Sequence, residues 1–125
     1  MRNYVNMGEQ LAVVLYVRNI KESNHFYRSL GFEIVRDEGT FIELRWEEAV
    51  LFLEQRDDAP SLGSHPVGNL RIMVPNVDDY WTVSKKIGAR VIRAIDDRYY
   101  GLRDFIIAGP DGLGIRFATW LSDLE

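Results

Sequence analysis

The stretch Leu11–Val35, LAVVLYVRNIKESNHFYRSLGFEIV, has a counterpart 57 residues later in Gly68–Ile92, GNLRIMVPNVDDYWTVSKKIGARVI. The first copy opens with apolar residues at alternate positions, Val13, Leu15 and Val17, and the second copy repeats this alternation. An asparagine, an acid and a glycine then recur at matching positions. So many matched residue classes at one offset predict two copies of one supersecondary unit.

Within each copy, the alternating segment predicts a strand and the following segment predicts an amphipathic helix. The helix signals are an N-cap asparagine, an acid three residues later and a glycine at the C-terminal end. These residues are Asn19, Glu22 and Gly31 in the first copy and Asn76, Asp79 and Gly88 in the second. We expect the core side of the helices to carry Phe26, Tyr27 and Leu30, and then Tyr80, Val83 and Ile87.

Three further strands are predicted in each copy, so the order is β-α-β-β-β twice and the fold class is α+β. Their predicted bounds are Phe32–Arg36, Thr40–Trp46 and Val50–Glu54, and then Ala89–Ala94, Asp104–Ala108 and Ile115–Thr119. Leu51 and Leu53 match Ile115 and Phe117 at an offset of 64, so the second copy has about seven extra residues before its last strand. We predict a single domain over 1–125, with one module at about 10–54, a linker at about 55–68 and a second module at about 69–120.

Composition narrows the classes of function. With 15 Lys+Arg and 19 Asp+Glu among 125 residues, the formal net charge is −4, which argues against a nucleic-acid partner. The sequence has no Cys, which excludes disulfides, thiolate nucleophiles and cysteine-ligated metals. We recognise neither a signal peptide nor a membrane span, so the expected location is cytoplasmic with no membrane partner.

Two motifs carry a resemblance to a known family. FYRSLGFEIV at 26–35 and YYGLRDFIIAGPDGLGIRF at 99–117 resemble the glyoxalase/bleomycin resistance protein/dioxygenase superfamily, which has the vicinal oxygen chelate fold. The tail motif is closest to the bleomycin-resistance branch, although Gly109 stands where that branch has Asp. The resemblance covers roughly 10–120. It implies sheets that curl into half-barrels, helices on the outside, a ligand pocket on the concave side, and pairing of two chains as a homodimer with exchange of an N-terminal arm, here Met1–Glu9.

The resemblance also implies where metal ligands lie in the enzymatic members, namely on the first and last strand of each module. Those positions here are Ala12, Phe52, Asn69 and Arg116, none of which is a carboxylate or an imidazole. A cation site needs converging lone pairs without a competing positive charge. We therefore predict no metal, no cofactor and no catalytic residue, and we interpret the two histidines, His25 and His65, as surface residues.

What is left is a binding pocket for a small planar molecule. Strand alternation places Ala12, Val14 and Tyr16, Phe52 and Glu54, Asn69, Arg71 and Met73, and Arg116 and Ala118 on the concave side. The predicted ligand-binding residues combine aromatic rings with directional polar groups: Tyr16, Trp46, Phe52, Asn69, Arg71, Tyr99, Tyr100, Arg103 and Arg116. The resemblance implies that Tyr100 occupies the position at which bleomycin-resistance proteins have a Trp that packs against the drug. For Phe52 and Trp46, a role in the core is equally open.

Charge leaves the ligand unassigned. Glu43, Glu54, Asp97 and Asp104 suit a cationic drug such as bleomycin, whereas the arginines suit a carboxylate, a phosphate or an aromatic face. The leading hypothesis is a metal-free protein that sequesters a planar antibiotic or metabolite. The alternatives are a metal-dependent lyase, dioxygenase or epimerase with relocated ligands, and a structural or regulatory homologue whose cleft is filled by its own side chains.

Overall fold

The computed structural model describes residue 5 and residues 10–59 and 65–124. The chain divides into two compact units, Met1–Pro60 and Ser61–Glu125. Within the described ranges, the secondary structure of each unit is a four-stranded mixed sheet with an α-helix between its first two strands, which confirms the prediction of an α+β fold built from two βαβββ modules. Apart from Val5, the expected N-terminal arm lies outside the described residues.

The first unit follows the predicted order of elements. Its elements are β1 (Val13–Val17), α1 (Ile20–Leu30), β2 (Glu33–Asp37), β3 (Phe41–Trp46) and β4 (Ala49–Gln55). The sheet order is β1-β4-β3-β2, in which β1 runs parallel to β4 and the other neighbours are antiparallel.

The second unit repeats this topology. Its elements are β5 (Asn69–Met73), α2 (Val77–Lys86), β6 (Val91–Asp97), β7 (Leu102–Ala108) and β8 (Gly114–Trp120), followed by a short 3-10 helix at Leu121–Asp123. The sheet order is β5-β8-β7-β6, again with one parallel pair, β5 and β8. No helix in the described ranges is long and apolar enough to cross a membrane.

The two sheets share the same register, not only the same order of strands. Val13 pairs with Leu51 in the first sheet, and Leu70 pairs with Ile115 in the second. These are the partners that offsets of 57 and 64 residues predict. The internal repeat is therefore confirmed at the level of individual residue pairs.

The helix ends follow the predicted signals with one difference. The Asn19 side chain accepts a hydrogen bond from the backbone N–H of Glu22 at 3.1 Å, as the predicted cap requires. The Asn76 side chain instead accepts from Asp78, one residue earlier than expected, also at 3.1 Å. Gly31 and Gly88 both have positive φ, 138° and 73°, where glycine is favoured.

The core of each unit lies between the helix and one side of the sheet. Tyr27 and Leu30 of α1 are buried as predicted, and Phe26 is half-buried. Tyr80 of α2 stacks on Phe117 with a centroid distance of 5.0 Å. The prediction of Ile87 as a core residue is wrong, because it lies beyond the last residue of α2 and is 38% exposed.

Strand bounds differ most in the second unit. The predicted strand Ala89–Ala94 begins later, at Val91, because the backbone N–H of Ala89 still closes the end of α2 on the Ser84 carbonyl at 3.0 Å. That strand continues to Asp97, which pairs with Arg103. Consequently β7 begins at Leu102, two residues before the predicted start.

Candidate functional site

Each sheet has a helix-facing side and a side turned away from the helix of its own unit, here called the helix-distal side. In the second unit, Phe105 contacts Trp81 of α2 with ring centroids 5.1 Å apart, which fixes the helix-facing side. Residues at alternate positions therefore lie on the helix-distal side. Strand pairing aligns Arg71, Arg116, Ile106 and Arg93 there in one row across all four strands. We call Arg71, Arg93 and Arg116 the arginine row.

The arginine row adjoins a buried carboxylate. Asp104 is fully buried, with an exposed fraction of 0%. Its Oδ1 accepts hydrogen bonds from Nε of Arg98 at 2.8 Å and from Nη2 of Arg93 at 3.0 Å. Its Oδ2 accepts from Nε of Arg116 at 2.8 Å, and Nη2 of Arg116 lies 2.6 Å from the same oxygen. One carboxylate thus holds three guanidinium groups in place.

Tyr100 joins the same network through its hydroxyl. The hydroxyl donates to Oδ2 of Asp104 at 3.1 Å and accepts from Nη2 of Arg93 at 2.6 Å and from Nη2 of Arg116 at 3.2 Å. Because both arginines reach one oxygen atom, their guanidinium groups lie side by side. The turn that carries Tyr100 also carries Tyr99, which is fully exposed and meets Tyr100 edge-on at 5.1 Å.

The network keeps Asp104 ionised. Burial works to raise the pKa of Asp104, but hydrogen bonds from Arg98, Arg116 and Tyr100 outweigh it and hold that pKa below its usual range. The pKa of Arg93 is raised, first by its hydrogen bond with Tyr100, against the opposing effect of burial. Because a guanidinium group is not deprotonated in proteins, three positive charges lie beside this single negative charge.

Positive charge is in excess on this side of the sheet. Three guanidinium groups share the one carboxylate of Asp104, and Arg71 has no hydrogen-bond or ion-pair partner within residues 10–59 and 65–124. The Nε–H of Arg93 is buried without an acceptor in the same part of the chain, so Arg93 is anchored through Nη2. Asp96 pairs with Asp104 across β6 and β7, but its side chain accepts a hydrogen bond from the backbone N–H of Asp97.

The helix-distal side of the first unit has a different character. Val14 pairs with Phe52, and the Phe52 ring packs against Phe41 with centroids 5.3 Å apart. Tyr16 pairs with Glu54, and the guanidinium of Arg56 lies over the Tyr16 ring at 4.6 Å. Tyr16 and Phe52 thus lie on the side that strand alternation predicts.

Trp46 does not lie with them. It shares a side of β3 with the buried residues Ile42 and Leu44, and it meets Phe32 edge-on at 5.3 Å. The Trp46 ring also covers Gly31 so closely that a Cβ there would come within 2.9 Å of it. Of the two roles left open for Trp46, ligand contact and core packing, its contacts are those of a core residue.

Arg103 also lies on the helix-facing side, contrary to expectation. It shares that side of β7 with Phe105 and Ile107. Its guanidinium donates to both carboxylate oxygens of Asp78 in α2, at 3.1 and 3.2 Å, and to Asp97 at 3.0 Å. Asp97, which was expected to contact a cationic ligand, instead anchors this arginine together with Asp78.

Asp104 corrects a further expectation. A fully buried carboxylate that already binds three arginines has no lone pair to offer a cationic drug. Arg93 and Arg98 were not among the predicted site residues, because pairing them with Asp104 requires the register of β6 on β7, which contains two irregularities. The sequence signal that could have extended this strand is the alternation of apolar and polar residues, which continues in β6 past Ala94.

The four positions implied for metal ligands offer few lone pairs. Ala12 has no side-chain lone pair, Asn69 is exposed and pairs with Gly114, Phe52 packs on Phe41, and Arg116 is bound to Asp104. Across the described ranges there is no group of three or more His, Asp or Glu residues placed to hold a metal ion.

The family model described as Glyoxalase/Bleomycin resistance protein/Dioxygenase superfamily matches residues 10–117, and the chain belongs to that superfamily. No curated protein matches the chain significantly.

Solved structures share the fold at low sequence identity. A glyoxalase/bleomycin resistance protein/dioxygenase from Nocardioides is 14% identical with a TM-score of 0.75, covering 97% of this chain and 87% of that one. A glyoxalase/bleomycin resistance protein/dioxygenase from Alicyclobacillus acidocaldarius is 19% identical with a TM-score of 0.73, covering 99% and 98%. A bleomycin-binding protein complexed with bleomycin is 19% identical with a TM-score of 0.70, covering 89% and 98%.

Proposed function

We propose that this protein binds a small planar molecule, an antibiotic or a metabolite, without a metal ion and without catalysing a reaction on it. In this proposal the ligand contacts the helix-distal side of a sheet, which carries Tyr16 and Phe52 in the first unit and Arg71 and Arg116, beside Tyr100, in the second. Sequestration requires burial and orientation of the ligand and no chemical step. We also propose that the chain acts as one domain in the cytoplasm and pairs as a homodimer, following the family resemblance.

The observation that carries the proposal is the position of Arg116. The resemblance implies a metal ligand there, and the residue present is a guanidinium fixed by Asp104 at 2.8 Å. A cation at that position would face a permanent positive charge, which cannot deprotonate and cannot rotate away without breaking its hydrogen bonds to Asp104 and Tyr100. A bleomycin-binding protein with the same fold supports the idea that this architecture serves ligand capture.

A titration in excess chelator tests the proposal. Bleomycin and a panel of planar aromatic molecules are added to the purified protein while tryptophan fluorescence is followed, with Trp120 on the helix-distal side of β8 as a local reporter. We expect saturable quenching at one ligand per chain for at least one compound. Tyr100→Ala is expected to weaken binding at least about tenfold, because it removes an aromatic contact and loosens both arginines.

Two results would overturn the proposal. One is a stoichiometric metal ion that survives dialysis and is required for ligand binding; the other is a flat titration with the whole panel. Should Tyr100→Ala fail to fold, as judged by circular dichroism, Arg71→Gln replaces it, since Arg71 is exposed and makes no ion pair in the described part of the chain.

A further inference from the structure

We infer that the arginine row recognises an oxyanion, and that the ligand class of this protein is a planar molecule bearing a carboxylate. This inference rests on the proposed function, which it makes specific. Arg71, Arg93 and Arg116 form the receptor, Arg98 and Asp104 hold it in place, and Tyr100 presents an aromatic ring beside it.

The geometry brings the guanidinium groups within reach of one anion. Arg71 and Arg116 are directly paired on the adjacent parallel strands β5 and β8, whose spacing is about 4.8 Å. Arg93 and Arg116 both donate to the Tyr100 hydroxyl, at 2.6 and 3.2 Å. A small oxyanion placed over this row can therefore accept from two or three arginines at once.

Donor groups remain for such an anion. Arg93 uses Nη2 for its contacts with Tyr100 and Asp104, and Arg116 uses Nε and Nη2 for its own. Their Nη1 groups have no acceptor within the described ranges, and neither has the whole guanidinium of Arg71. Arginine forks match the planar geometry of a carboxylate, which accepts two parallel hydrogen bonds.

The local charge favours an anion over a cation. Asp104 offsets one of three guanidinium charges, and Arg71 adds a fourth positive charge to the same side of the sheet. Strand pairing also aligns Met73, Ala118, Asp104 and Asp96 in the adjacent row on the helix-distal side. Asp96 is therefore the one acid in that row besides Asp104. A net positive surface remains after both acids are counted.

An aromatic ring beside the charge favours a planar ligand. The guanidinium carbon of Arg116 lies 5.7 Å from the centroid of the Tyr100 ring, and the fully exposed Tyr99 ring adjoins Tyr100. A ligand whose carboxylate meets the arginines therefore places an attached aromatic ring against these tyrosines.

The test uses benzoate as the probe and benzamide as its neutral isostere. Isothermal titration calorimetry at low ionic strength is expected to give saturable benzoate binding, at least about tenfold tighter than benzamide, and binding should weaken as salt is added. Arg71→Gln is expected to weaken benzoate binding at least about tenfold. The matched control is Arg28→Gln, which removes the same charge from an exposed position on α1 and should leave binding unchanged.

Equal binding of benzoate and benzamide, or equal losses in Arg71→Gln and Arg28→Gln, would overturn the carboxylate assignment. So would an absence of benzoate binding while bleomycin or a neutral planar molecule binds in chelator, and that result leaves the proposed function standing. The reverse pattern, benzoate binding that requires an added metal ion, overturns the proposed function as well.

Discussion

The helix-distal sides of the two sheets share one register and carry opposite chemistry. Val14 and Phe52 are paired in the first sheet, and the repeat places Arg71 and Arg116 at the equivalent positions of the second. The first pair extends into an apolar contact with Phe41, whereas the second adjoins the buried carboxylate of Asp104. The repeat therefore conserves the backbone positions while the side chains that project from them have diverged.

This difference shows that the helix-facing sides of the sheets form the core, whereas the helix-distal sides carry the features specific to each unit. Both units bury the same kind of apolar layer under their helix, and the helix-facing residues at matched positions stay apolar, as Leu51 and Ile115 do. On the helix-distal side of the second unit, the fully buried Asp104 fixes three arginines. Removing one partner of such a buried ion-pair network is strongly destabilising. Comparable substitutions in the two units test this contrast.

The largest effect is expected for Asp104→Asn. The change leaves three guanidinium groups without their carboxylate, which should lower the free energy of unfolding by about 3–5 kcal/mol. Glu54→Gln is the matched change in the first unit, where the Arg56 partner is 40% exposed, and it should cost at most about 1 kcal/mol. Urea denaturation of both variants measures the difference, and similar losses would contradict the contrast.

A smaller effect is expected at the glycines that end the helices. Gly31→Ala forces a Cβ to within 2.9 Å of Trp46 at a positive φ, and it should destabilise the protein by about 2–4 kcal/mol. The equivalent Gly88→Ala meets no atom within 4 Å, so it should cost about 1–2 kcal/mol from backbone strain alone. Equal thermal shifts for the two variants would show that Trp46 does not pack as described.

Removing a single hydroxyl should have a still smaller effect. Tyr100→Phe deletes the group that bonds Asp104, Arg93 and Arg116, and the expected loss is about 1–2 kcal/mol. Tyr16→Phe in the first unit keeps the ring under Arg56 and should change stability by less than about 0.5 kcal/mol. Urea denaturation measures both changes. Equal shifts of the denaturation midpoint for the two variants would show that the Tyr100 hydroxyl contributes no more to stability than that of Tyr16, which would contradict the network described for Tyr100.

The mildest test is the pH dependence of stability. Because the folded-state pKa of Asp104 lies below the unfolded value of about 3.9, its stabilising contribution is complete above that value and is lost as pH falls through the folded pKa. The wild type should therefore lose more stability than Asp104→Asn between neutral and strongly acidic pH. Parallel pH profiles for the two proteins would contradict the assignment of an ionised, paired Asp104.

The repeat made most of the fold predictable, because two copies with the same capped helix and glycine constrain each other. Strand alternation also placed Tyr16, Phe52, Arg71 and Arg116 on the correct side of their sheets. The role of Trp46 was left open between a stacking site and the core, and alternation from Ile42 and Leu44 assigns it to the core.

The positions of Arg103 and Arg93 could not be predicted, because they depend on strand bounds and strand pairing for which the sequence has only weak signals. Arg103 lies before the predicted start of its strand, so its alternation with Phe105 was not applied. Arg93 meets Asp104 through a pairing of β6 with β7 that contains two register shifts, and such irregularities have no local sequence signal here. Contacts across irregular strand pairs require the structure.

Mapping a bound probe onto the two sheets tests directly whether the arginine row binds the ligand. In an NMR titration of the isotope-labelled protein with benzoate in excess chelator, backbone amide and arginine Nε–H resonances report each position separately. We expect saturable shifts at Arg71, Arg93 and Arg116 and little change at Val14 and Phe52. Shifts confined to the first unit, or no saturable shift in the arginine row, would contradict this expectation.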